Sequence, residues 1–212
     1  MEIKIFVEGI ADVKFLKDYI SEVYKVELNN EDIIGTKGWT NILSAKSDGE
    51  YVRNQMIKNF DNGGINLLIF DADNNYEKRL EELSSWKKKN KLEFEIFLWP
   101  NNSGTGDLET VLENIINPKN SPIFNCWDVY EDCLTKTTIE DRDRPLTTPA
   151  KKTKIYGYLE ALLGETMSQK EKIKEEKRDY KNFEHWDLNS SFLVPLKTFL
   201  NQYFQSTTGN KD

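Results

Sequence analysis

An apolar run, Leu67-Leu68-Ile69-Phe70, ends in Asp71-Ala72-Asp73. Two carboxylates this close repel each other unless a cation or hydrogen-bond donors neutralise them. Carboxylate oxygens are the preferred ligands of hard divalent cations such as Mg2+ and Ca2+, so one reading is a metal site. The other is that Asp73 caps the following helix and Asp71 is a solvated turn residue. On this stretch alone both readings stand. Glu8 has a similar placement after the strand-like residues 3–7, with Gly9 beyond it to allow a tight turn and Asp12 shortly after. Asp107 and Glu109 follow a glycine-bearing loop, Asn101 to Gly106. These too have plainer accounts: Asp12 and Asp107 as helix caps, Glu109 as an acid suited to a helix's first turn. Carboxylates converging on one sheet edge would, however, suit bound Mg2+ or Mn2+ and displacement at phosphorus. A metal there polarises the phosphate and lowers the pKa of an attacking water. A carboxylate not used by the metal can move the proton.

The elements that must bring these side chains together are legible as alternating apolar runs and helical periods. Residues 3–7, 33–35, 65–70 and 93–98 read as strands. Val13, Leu16, Ile20 and Val23 recur at helical spacing, and a weaker helical pattern from Trp39 to Phe60 breaks near Asp48-Gly49. Helices are expected over 77–91 and from about 108 to 116. A short strand with a continuously apolar run such as 67–70 belongs to a parallel sheet covered on both faces. Right-handed crossovers would then place all the acidic strand ends on one edge, where ligands bind in such sheets. The expected fold is α/β, a Rossmann-like, mainly parallel sheet flanked by helices, over residues 1–120. Residues 121–205 read as a mainly helical C-terminal elaboration packed on that core, with helices around Trp127–Leu134, Ile155–Leu162 and Phe192–Phe204. The segment 169–181, charged with mixed signs, reads as a solvated helix or a mobile stretch. Residues 206–212 read as a disordered tail.

Composition limits the partners. The 212-residue chain carries a net charge of -7, which argues against binding nucleic acid through bulk electrostatics but allows a local basic groove around an acidic centre. No apolar run reaches the ~20 residues of a membrane span, and the opening residues lack the apolar core of a signal peptide, so a cytoplasmic location and no membrane partner are expected. Cys126 and Cys133, if on one helix, lie about 10 Å apart along its axis, too far for a disulfide. They are expected as free, buried thiols. The only histidine, His185, forms no zinc-like pattern with them.

Val7-Glu8-Gly9-Ile10-Ala11-Asp12, followed by Ile69-Phe70-Asp71-Ala72-Asp73, resembles the Toprim domain of primases, topoisomerases and OLD-type nucleases. That signature is a glutamate-glycine after the first strand and an Asp-x-Asp after a later one, and the likeness covers roughly the first half of the chain. The loop from Pro100 to Glu109 looks like that of small stand-alone Toprim-like bacterial proteins of unknown function. The resemblance implies a Toprim-like fold and Mg2+ (or Mn2+) held by Asp71 and Asp73. It also implies that Glu8 acts as general acid/base or as a metal ligand. Asp107 and Glu109 are lesser candidates for the metal, and Asp12 stands behind the ligands. The chain has no G-x-x-x-x-G-K-[ST] loop, so it carries no ATPase of the OLD kind, and no topoisomerase tyrosine module or primase zinc module is visible.

The remaining candidates each have two accounts. Lys154, nearest the apolar face of its helix, could neutralise a phosphate in the acidic site, whereas Lys151 and Lys152 read as surface charge. Lys87-Lys88-Lys89 and Lys91 read first as a solvated helix end and second as phosphate contacts. Gly104-Thr105-Gly106 reads as a turn before it reads as a phosphate cradle. Trp39, Trp99, Trp127 and Trp186 could stack bases or pack the core. The resulting expectation is a metal-dependent, phosphodiester-processing, nuclease-like protein acting on nucleic acid or a nucleotide, with room for a protein partner that supplies DNA binding or ATPase activity. The alternatives are a non-catalytic module binding nucleic acid or protein, and a nucleotide phosphohydrolase.

Overall fold

Alternation along the strands decides the layers. The computed structural model describes residues 2–43 and 47–204. Four strands, β1 (Ile3–Val7), β2 (Ile33–Gly35), β3 (Ile65–Asp71) and β4 (Glu95–Trp99), form one sheet in the order β2-β1-β3-β4. Every pairing is parallel, with Val7 opposite both Gly35 and Ile69, and Asp71 opposite Trp99. Successive strand residues face opposite sides. Ile5, Val7, Leu67, Ile69, Phe97 and Trp99 belong to one buried cluster, and Phe6, Leu68, Phe70 and Leu98 to the other.

The second cluster is covered by α2 (Trp39–Leu43), α3 (Ser47–Asp61) and α4 (Tyr76–Asn90), through Ile42, Val52, Met56, Leu83 and Trp86. The expected interruption of the 39–60 pattern is found a few residues before Asp48-Gly49: α2 ends at Leu43 and α3 starts at Ser47. The first cluster is covered by α1 (Ile10–Tyr24), α5 (Leu108–Asn114) and α7 (Lys151–Leu163). The remaining helices are α6 (Ser121–Lys136), α8 (Met167–Glu171) and α9 (Val194–Leu200), the last with Pro195 in its first turn, where a missing N–H costs nothing. Phe199 and Leu200 of α9 join the same buried cluster as β1, so the C-terminal helices extend one face of the sheet.

Two expectations are corrected by this packing. The charged segment 169–181 is not solvated throughout: Ile173, Arg178 and Tyr180 are buried. Asp18 of α1 explains it, since its carboxylate accepts the Tyr180 N–H at 2.8 Å and so ties this segment to the first helix. Cys126 and Cys133 do share α6, but both are exposed, because α6 buries no residue fully. The tail expected to be disordered, 206–212, lies outside the described residues. Among the described residues no helix is long and apolar enough to cross a membrane.

Candidate active site

The sheet reverses its direction of growth between β1 and β3. In open parallel sheets the crevice at the carboxyl ends of two such strands is the usual ligand site. Glu8 leaves β1 there, and Asp71 ends β3. The Asp71 N–H donates to Glu8 Oε1 at 3.2 Å. The Trp39 N–H also donates to the Glu8 carboxylate, and the Gly38 N–H donates to the Glu8 backbone oxygen at 3.1 Å. The turn after β2 therefore wraps Glu8 and fixes its direction.

Asp12 is drawn further in than expected. Its Oδ2 accepts the Gly9 N–H at 3.0 Å, which closes the first turn of α1, and its Oδ1 accepts the Trp99 Nε1–H at 2.9 Å. The residue is only 6% exposed. Trp99 lies opposite Asp71 in the sheet register, so one indole links the ends of α1 and β4 beneath the crevice.

The loop from Pro100 to Asp107 is fastened to the Asp71–Asp73 turn. Asp73 and Gly106 exchange two backbone hydrogen bonds, 2.9 and 2.8 Å. Gly106 has φ +142, and a Cβ there would meet Thr110 Oγ1 at 2.9 Å and Pro100 Cδ at 3.1 Å. That close approach needs glycine. It brings the start of α5 over the crevice, so that the Leu108 N–H donates to Asp71 Oδ1 at 3.1 Å. The Gly104-Thr105-Gly106 stretch thus serves as a fastening turn. Asp107 caps α5, its Oδ1 accepting the Thr110 N–H at 2.8 Å, and Lys151 reaches the same carboxylate at 3.2 Å.

The electrostatics divide these acids. Asp71 is held far above the ordinary carboxylate range, first by burial and then by the charges of Asp12, Glu8, Glu109 and Asp107. Burial also raises Asp12, against the opposing hydrogen bonds from Trp99 and Gly9, with Glu8 and Glu109 adding to the rise. Glu8 is raised by burial, opposed by the Asp71 N–H and by Arg79. Glu109 is raised by burial as well. Burial pushes Asp107 upward too, but its Thr110 hydrogen bonds and Lys151 outweigh it, and the group ends below its usual value. Cations stand around the periphery: Arg79 on Asp73, Lys151 on Asp107, and Lys152 on Glu175 at 2.5 Å.

Glu8, Asp12, Asp71, Asp107 and Glu109 are thus electrostatic neighbours, as the strand ends suggested. Asp73 is placed differently. Its backbone is left-handed, φ 52, and its half-exposed carboxylate pairs with Arg79 of α4. It does not cap α4 either; Asn75 does, accepting the Lys78 N–H at 2.9 Å. Lys154 is corrected outright. Its ammonium pairs with Asp128 at 2.8 Å and lies 4.9 Å from the centre of the Phe124 ring, while Lys151 and Lys152, read as surface charge, reach the acidic group. Lys154 lies one helical turn beyond Lys151 and follows α6 instead. Sequence reading missed Arg79 and the Trp99 indole. Trp99 could have been found by aligning the ends of β3 and β4; nothing in the sequence pairs Arg79 with Asp73.

An oxygen-only donor set suits a hard divalent cation, Mg2+ or Mn2+, and a buried carboxylate crowded by like charges is what such an ion would relieve. The donor chemistry therefore fits. The arrangement as it stands is looser, since among the described residues no three His, Cys, Asp or Glu side chains are grouped to hold one ion. Ligation would require the side chains to turn toward a common point.

A search of the curated proteins finds no match, and a search of the solved structures finds none. One family model covers residues 2–205, nearly the whole described chain, and its description is protein of unknown function (DUF3226). The acidic crevice and its fastening loop all lie within that span, and the chain belongs to the DUF3226 family.

Proposed function

We propose that this chain is a metal-dependent, nuclease-like protein that processes phosphodiesters at the crevice between β1 and β3. The observation that carries the reading is the environment of Asp71: half-buried, beside Glu8, Asp12 and Glu109, with the nearby cations committed to groups at the rim. Asp71 would hold Mg2+ or Mn2+, with Glu109 or Asp12 completing the set and Glu8 left free of the ion. When bound, the ion would polarise a phosphoryl oxygen and acidify an attacking water. Of the chain's own groups, Glu8 suits proton movement. Its carboxyl is fixed by two backbone N–H groups and favours the proton more than an exposed glutamate does. Lys151, at the rim beside Asp107, is placed to meet a phosphate oxygen. The order of the glutamate-glycine and Asp-x-Asp motifs in the sequence supports the same reading through its Toprim resemblance.

The test is a pair of measurements on the wild type and on Glu8→Gln: calorimetric titration with Mg2+ or Mn2+, and product formation from single-stranded DNA, RNA and nucleotide esters. Metal binding by both proteins with turnover lost only in Glu8→Gln supports the reading. The second reading is a non-catalytic module that binds nucleic acid or protein, and the Arg79 pairing of Asp73 favours it. Metal binding without turnover on any substrate would select it.

A further inference from the structure

Beside the acidic crevice, on the α2–α4 side, lies a groove of about 530 Å³. Trp39, Leu43 and Trp86 supply its apolar walls, and Arg53, Lys78 and Lys89 supply cations. A smaller cavity of about 290 Å³ adjoins it, sharing Trp39 and Lys78 and reaching Asp73 and Arg79. The two together lead from the groove to the Asp71–Asp73 turn. Trp39 joins them physically, since its N–H holds the Glu8 carboxylate while its indole packs edge-on against Phe70 and Trp86.

The groove's volume is that of a site for one small ligand or one residue of a polymer. Its chemistry is mixed in a particular way. Leu43 is 48% exposed, an apolar side chain at the rim. Three cations gather there in a chain whose net charge is -7. Glu81 and Glu82 also line it, so it is not a general anion trap, and a ligand with only charge to offer would be held poorly. A planar apolar group carrying a negative charge fits both parts. We propose that this groove receives an unpaired nucleobase, against Trp39 and Leu43, with the attached phosphate met by Lys78 or Lys89. The proposal deepens the proposed function and rests on it for the link to chemistry, but base binding in the groove is measurable without any metal.

The experiment is fluorescence anisotropy of a labelled single-stranded oligothymidylate with the full chain in EDTA, alongside thymidine monophosphate and inorganic polyphosphate as competitors. Leu43→Glu and Lys89→Gln alter exposed side chains, so both should fold, and circular dichroism checks this. The oligonucleotide should bind, and Leu43→Glu, which replaces an apolar wall by a negative charge, should weaken it about tenfold. Lys89→Gln should lower the salt slope of log K by about 0.7, as for one phosphate contact on a single strand. Competition by thymidine monophosphate would place a free nucleotide in the groove, and oligonucleotide binding that neither competitor displaces would place a strand there. Polyphosphate competing as well as either, or unchanged binding in both variants, would overturn the proposal. The arms separate the two claims. Oligonucleotide binding sensitive to Leu43→Glu, without Mg2+ binding by calorimetry, leaves the groove standing and removes the metal-dependent function. Mg2+ binding with no groove effect does the reverse.

Discussion

Asp71→Asn isolates the charge at the centre of the crevice. The substitution keeps the shape and an oxygen that can accept the Leu108 N–H, and removes only the negative charge among Glu8, Asp12 and Glu109. In the folded chain Asp71 holds its proton more tightly than in the unfolded chain, because of burial and those neighbours. A group raised in this direction contributes stability below its unfolded pKa and loses it as pH rises toward the folded value. Metal-free wild type should therefore lose stability from about pH 4 upward, by about 1.4 kcal/mol for each unit of elevation. Relief of a single unit would, at about 2–4 °C per kcal/mol for a chain of this size, raise the metal-free melting temperature by about 3–6 °C. Mg2+ at a hundredfold excess over its Kd should stabilise the wild type by about 2.7 kcal/mol and the variant far less. The wild-type metal affinity should rise with pH as protons are displaced from the carboxyls. The assay is thermal melting from pH 5 to pH 9, with EDTA and with Mg2+. A wild type equally stable across that range, or an Asp71→Asn variant less stable than wild type in EDTA at pH 8, would refute the argument.

Other substitutions probe the framework. Gly106→Ala forces a side chain into φ +142 and into Thr110 and Pro100; it should lower stability by about 1–3 kcal/mol and weaken metal binding, as read by melting and calorimetry. Arg79→Met frees Asp73 and removes a cation that opposes protonation of Glu8; if Asp73 can serve as a ligand, Mg2+ affinity should increase, and an unchanged affinity would exclude Asp73 from the set. Gly157→Ala places a Cβ 2.5 Å from Trp127 Cζ3, so it should loosen α6 from α7 and shift the tryptophan emission while leaving metal binding intact.

The parallel sheet was legible because its strands are short, apolar and bounded by turn residues, and because their ends carry the acids. The buried role of Asp12 was harder to see. A cap and an inner carboxylate look alike in sequence, and only the Trp99 indole, brought over from β4, tells them apart. Asp73 stands apart from the other acids for a local reason. The chain turns left-handed there to meet Gly106, and that turn directs its carboxylate to Arg79, a partner that depends on how α4 docks. Lys154 sits too far along its helix: Lys151, one turn nearer the helix start, reaches Asp107, whereas Lys154 meets Asp128 of α6. The mixed charges of 169–181 concealed a buried arginine and tyrosine, because Tyr180 is held by Asp18 and Phe15 of α1 and Arg178 lies over Tyr156 of α7, both far away in sequence or element.

The central claim is that the β1–β3 crevice holds a divalent cation and uses Glu8 in turnover. The most direct measurement is Mn2+ titration followed by single-turnover cleavage of a labelled single strand, with the wild type, Glu8→Gln and Asp71→Asn run side by side. The account predicts saturable Mn2+ binding and product formation in the wild type, retained binding without product in Glu8→Gln, and loss of both in Asp71→Asn. Absence of Mn2+ binding to the wild type at millimolar concentration, or equal cleavage by all three proteins, would contradict it.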